Sequence, residues 1–130
     1  MKDVRDEPKF IGIINLDTED FSSIGECKVY VYSNEKCTPH FHIITNNGDE
    51  SYICIYKPLY FNHCDNKSIR LNYKQRKILN EWLDKPCRVS EKISNWECID
   101  LVWKTGNCDG IFPHKRQSKP NYNHLTGIES

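Results

Sequence analysis

Apolar and polar positions along this chain alternate with a period of two in its first half and with a period near 3.6 after about residue 70. "FIGIINL" (10–16) is a short apolar run that reads as a strand, loosened by Gly12. "CKVYVYS" (27–33) sets Cys27, Val29 and Val31 against Lys28, Tyr30 and Tyr32, the repeat of a half-buried strand. "NEKCTP" (34–39) reads as a loop closed by Pro39. "HFHIIT" (40–45) and "YICIYK" (52–57) flank "NNGDES", whose Asn47-Gly48 pair favours a hairpin turn.

The later segments carry helix signals. In "LNYKQRKILNEWLDKP" the residues Ile78, Leu79, Trp82 and Leu83 form one apolar stripe. Asn72 with Gln75 predicts a capping box, and Pro86 a stop. In "ISNWECIDLVWKTGN" a second capping box is predicted from Ser94 and Glu97. Trp96, Ile99 and Trp103 share a face, and Gly106 is placed to end the helix. These spacings predict helices near 72–84 and 95–105.

Strands followed by helices, without strand–helix–strand alternation, predict an α+β fold. The expected architecture is an antiparallel sheet of three to five strands packed against two C-terminal helices, with Trp82, Trp96 and Trp103 in the core. Residues 1–9 read as a polar N-terminal arm, 10–106 as a single domain, and 107–130 as a polar, loosely held tail.

Composition adds boundaries rather than identity. The 130 residues suit one small core, and 18 basic residues balance 18 acidic ones, so net charge draws the chain to neither nucleic acid nor anionic membrane. Met1 to Glu26 nevertheless holds three basic and seven acidic residues, and Ser68 to Lys92 seven basic and three acidic. No apolar run approaches the ~20 residues of a spanning helix. The seven cysteines, at 27, 37, 54, 64, 87, 98 and 108, include no CxxC pair, which argues against a zinc ribbon or finger. Their odd number and the charged start "MKDVRDEPKF" predict a cytoplasmic protein with reduced thiols, most of them small core residues.

Candidate chemistry centres on "TPHFHII" (38–44). In a strand, His40, His42 and Ile44 point one way and Phe41 and Ile43 the other. Two imidazoles about 7 Å apart at Cα can converge on one ion if a further ligand joins them. Glu35 on the preceding loop completes a two-histidine, one-carboxylate set suited to zinc or iron. His63 and Cys64 are the other nearby donors. The alternative is a polar strand face that shows both histidines to solvent or to a partner. A histidine-triad hydrolase is excluded because Ile44 stands where its third histidine belongs. No glycine-rich phosphate loop or GxSxG occurs, and Cys37 is the local candidate for a Cys–His pair. Arg70, Lys74 and Lys77 are spaced to form a basic stripe on one helix face, a candidate nucleic-acid contact that Glu81 offsets.

"VYSNE" (31–35), "PHFHI" (39–43), "ICIYKPLYFNH" (53–63), "LNYKQRKILNEWL" (71–83) and "NWE" (95–97) together resemble the domain-of-unknown-function 4160 family of small, mostly bacterial proteins. The resemblance spans roughly Val29 to Glu97, and Glu35, Pro39, His40 and His42 fall on the family's hallmark. It implies a small intracellular α+β domain of the toxin–antitoxin-like or phage-associated kind, and it carries no established activity. With the neutral charge and the lack of a complete catalytic set, the leading expectation is an accessory protein acting through a protein partner, without a cofactor. The alternative is a metal-dependent hydrolase or nuclease holding zinc or iron at His40, His42 and Glu35. A nucleic-acid-binding regulator using the basic stripe is the third.

The thiol reading is directly testable. Alkylation of the unfolded protein without reductant is expected to label all seven cysteines, and loss of structure on adding reductant would contradict it.

Overall fold

The computed structural model describes residues 8–16, 25–33, 38–63, 68–107 and 117–129. Five strands come first: β1 (Pro8–Asn15), β2 (Glu26–Tyr32), β3 (His40–Ile44), β4 (Glu50–Cys54) and β5 (Leu59–Phe61). Two helices follow, α1 (Tyr73–Asp84) and α2 (Asn95–Gly106), then a 3-10 turn at Tyr122–His124 and a last strand, β6 (Thr126–Glu129). The fold is α+β. The sheet, however, has six strands in the order β1-β2-β3-β4-β5-β6, not three to five. It is mixed, because β5 and β6 run parallel while the other neighbours are antiparallel. Both missed strands are short: "LYF" is too brief to show a period, and "TGIE" finds its partner almost seventy residues away in sequence.

Local chemistry explains the elements that were legible. Between β3 and β4 the chain reverses with Gly48 at φ +87, where a side chain would be strained, and Thr45 N–H donates to the Asp49 carbonyl at 2.9 Å. Both predicted capping boxes are present: Asn72 with Gln75 at α1, and Ser94 with Glu97 at α2. After α1 the chain is held by an antiparallel bridge between Pro86 and Ser94, and Asn95 Nδ2 donates to the Trp82 carbonyl at 2.8 Å. That bridge sets the angle at which α2 departs.

The helices cover one sheet face. Val29, Val31, Phe41, Ile43 and Ile53 form a buried cluster with Leu79, Leu83, Trp96, Ile99 and Trp103. Trp96 Nε1–H donates to the Ile55 carbonyl at 3.0 Å, so its one polar atom is satisfied. Trp82 is only half-buried and lies against β1. A Cβ on Gly12 would sit 3.0 Å from its ring, so the glycine that weakens the strand is what lets the indole approach. Cys27, Cys54, Cys87 and Cys98 are buried thiols. Burial, reinforced by contact with Cys87, pushes the Cys98 thiol up to about 11, which keeps it protonated and unreactive.

The helices are not C-terminal, and part of the expected loose tail is core. Tyr122 is fully buried, and its hydroxyl lies 2.9 and 2.8 Å from the carbonyls of Cys54 and Ile55. Asn80 of α1 accepts from Tyr122 N–H at 2.9 Å. Thr126 N–H donates to the Pro58 carbonyl at 3.1 Å, which starts β6 along β5. The segment's polar composition concealed two apolar anchors, Tyr122 and Leu125.

Trp96→Ala is expected to cost about 3–5 kcal/mol in urea denaturation, while Trp96→Phe costs about 1 kcal/mol, since Ile55 keeps Tyr122 as a donor. Burial also raises the pKa of the Tyr60 and Tyr122 phenols. Their contribution to stability is therefore intact below the ordinary tyrosine value of about 10 and is lost as pH rises through the folded values. Alkaline denaturation followed by circular dichroism is expected to show this loss, and Tyr122→Phe to lessen it.

Candidate metal centre

On β3, Phe41 and Ile43 enter the core beneath the helices, so strict alternation sends His40 and His42 to the opposite face. They are not shown to solvent there: His40 is 0 % and His42 4 % exposed. This corrects the solvent-facing alternative. The neighbours in register supply the reason, because Tyr30 on β2 and Tyr52 on β4 both lie opposite His42. The His42 ring packs 4.4 Å from Tyr32 and 5.0 Å from Tyr52, while Phe61 stacks on His40 at 4.5 Å.

His63 follows β5 by two residues, so alternation carries it to the same side as Phe61. It stacks on Tyr52 at 5.2 Å and stands 5.0 Å from both other imidazoles. With 5.1 Å between His40 and His42, the three ring centres form a nearly equilateral triangle. One ligand atom from each lies within 4.8 Å of the others. Zinc–nitrogen bonds of about 2.0–2.1 Å bring tetrahedral ligands to roughly 3.4 Å apart. Closing that gap requires at most about 1.4 Å of movement, most easily by His63, the least buried of the three.

Two of the rings are oriented for this. His40 Nδ1 lies 2.7 Å from the Thr38 carbonyl, which can only accept, so the proton is on Nδ1. His42 Nδ1 lies 3.1 Å from Glu50 Oε1. With the proton on Nδ1, Nε2 is in each ring the nitrogen whose lone pair could meet an ion, the arrangement by which a carbonyl or carboxylate orients a histidine ligand. Glu50 is itself held from the backbone: Ile69 N–H donates to its carbonyl at 3.0 Å, and Ser51 Oγ donates to the Ile69 carbonyl at 3.0 Å. Trp103 of α2 reaches to 5.5 Å from the His40 ring, which ties the centre to the core on the other side of the sheet.

The structure brings together three predicted site residues, His40, His42 and His63. Glu35, Cys37 and Cys64 lie outside the described residues. Of the basic stripe, α1 carries two of the three residues. Arg70 precedes α1 and lies 4.3 Å over the Tyr60 ring, its Nη1 donating to the Gly127 carbonyl at 3.2 Å, whereas Lys74 and Lys77 are exposed on the helix. The spacing treated Arg70 as helical, whereas α1 begins three residues later, at Tyr73. Glu50 was missed, although the Asn47-Gly48 hairpin already puts it on the histidine face, opposite Ile44.

Among the described residues no helix is long and apolar enough to cross a membrane. Comparison of the chain with protein-family models, curated proteins and solved structures finds no match.

Proposed function

We propose that this protein binds one divalent transition-metal ion, zinc or ferrous iron, through Nε2 of His40 and His42 and one ring nitrogen of His63, and uses it in hydrolysis. The observation that supports this reading is the triangle of imidazoles with two Nδ1 atoms already occupied by acceptors. Three neutral ligands leave the ion its full double charge and an open coordination position. Such an ion polarises a bound carbonyl or phosphoryl oxygen and lowers the pKa of a bound water towards neutrality. Burial of His40 and His42 among aromatic rings adds a low local dielectric, which strengthens that effect. Glu50 acts through His42 as a positioning residue. We rank this reading above an accessory protein acting through a protein partner because it rests on a specific set of donors.

Zinc titration of the full chain is expected to show tight one-to-one binding that His42→Ala abolishes and Ile44→Ala leaves intact. Glu50→Ala is expected to weaken affinity by about 10–100-fold. Saturation at ~100 times Kd stabilises the fold by about 2.7 kcal/mol, visible as a rise in Tm. Affinity falls as pH is lowered, because a protonated imidazole has no lone pair to donate. Weak, non-stoichiometric binding shared by parent and His42→Ala would overturn the proposal.

A further inference from the structure

Beside the imidazoles, on the same face of the sheet, runs a groove of about 390 Å³ lined by Pro8, Lys28, Tyr30, Tyr32, Ile44 and Thr45, with Asn46 at its end. Two of its lining residues, Tyr30 and Tyr32, adjoin the centre through His42. Tyr30 is paired directly opposite His42, and Lys28 directly opposite Ile44. The Tyr32 ring touches the His42 ring at 4.4 Å. Tyr30 is backed from β1 by Phe10, whose ring lies 5.6 Å away. The helices occupy the opposite face and do not cover this groove.

The lining has a definite chemical character. Two half-buried tyrosines offer ring surface, and flat rings stack on such surfaces whatever their hydrogen-bonding edges. Lys28 is exposed and is the one charged side chain among the described lining residues. Glu50, the carboxylate on the neighbouring strand, is engaged by His42. Residues two apart on a strand are separated by about 7 Å, so Lys28 stands one ring and a short arm away from the position opposite His42. A volume near 400 Å³ lies at the lower end of small-ligand sites.

We propose that this groove is the substrate-recognition side of the metal centre and takes a flat-ringed organic anion of about mononucleotide size. The ring lies against Tyr30 and Tyr32, Lys28 receives the anionic group, and the ligand's inner edge meets the open coordination position. This assignment rests on the metal-centre reading for its last element alone; ring and charge recognition belong to the groove itself.

Calorimetric titration of the full chain, metal-free and zinc-loaded, with adenosine 5′-monophosphate, adenosine and ribose 5-phosphate tests it. The monophosphate is expected to bind at least about tenfold more tightly than either fragment, since stacking alone is worth about that factor. Lys28→Gln is expected to bring the monophosphate down to the level of adenosine. Tyr30→Leu should weaken both ring-bearing ligands and leave ribose 5-phosphate unchanged. Zinc loading should tighten the monophosphate further. A zinc-binding protein that shows no preference for the monophosphate, or whose preference survives Lys28→Gln, overturns the groove and leaves the centre standing. A protein that binds no zinc but keeps the preference and its Lys28 dependence supports the groove and overturns the centre. Because Lys28 is exposed, that variant stays folded and informative even if Tyr30→Leu does not.

Discussion

Burial of both faces of β3 is the constraint on which the rest of this structure depends. Phe41 and Ile43 on one side join the cluster under the helices, and His40 and His42 on the other have almost no exposure. An imidazole removed from water needs a hydrogen-bond partner or the desolvation cost goes uncompensated. Here the Thr38 carbonyl and the Glu50 carboxylate meet that need at Nδ1. The same contacts decide which nitrogen is left to act. Orientation of the two imidazoles is thus a by-product of making a doubly buried strand tolerable.

The second consequence concerns how the two sides of the sheet communicate. α2 sits where it does because the Pro86–Ser94 bridge and the Ser94 capping box define its start, and Trp96, Ile99 and Trp103 then descend along one face. The last of these rings reaches His40. Tyr122 crosses from the C-terminal segment to the carbonyls of Cys54 and Ile55 at the end of β4, and Asn80 of α1 accepts from its N–H. Tyr56 adds a hydrogen bond to Asp100 of α2, and burial, with that carboxylate, raises its phenol pKa. The core side is therefore tied at several points, which gives the opposite face a stiff support.

That stiffness matters for the chemistry proposed. A centre built on two strand-borne imidazoles and one just beyond a strand would keep His40 and His42 close to fixed and leave most of the adjustment to His63, beyond the end of β5. A largely preorganised donor set loses less free energy to reorganisation when an ion enters. The adjoining tyrosines, set by the same pairing of β2 with β3, place an aromatic surface beside the imidazoles without any further element of structure.

By itself the sequence determined whatever depends on near neighbours. Alternation placed His40 and His42 together, the Asn47-Gly48 turn joined β3 to β4, and two capping boxes marked the helices, because strand period, turn stereochemistry and cap bonds all act within a few residues. The tertiary structure decided what depends on distant pairing. Whether the histidines were wet or buried turned on Tyr32, Tyr52 and Phe61 from three other segments. His63 could be named as a donor but not set at the third corner, since β5 is three residues long and its register comes from β4 and β6. The order of the C-terminal segment was equally hidden, for a lone buried tyrosine and a parallel edge strand leave no periodic trace in a polar stretch. Local rules fix where a side chain points, and only packing between remote segments fixes what it meets.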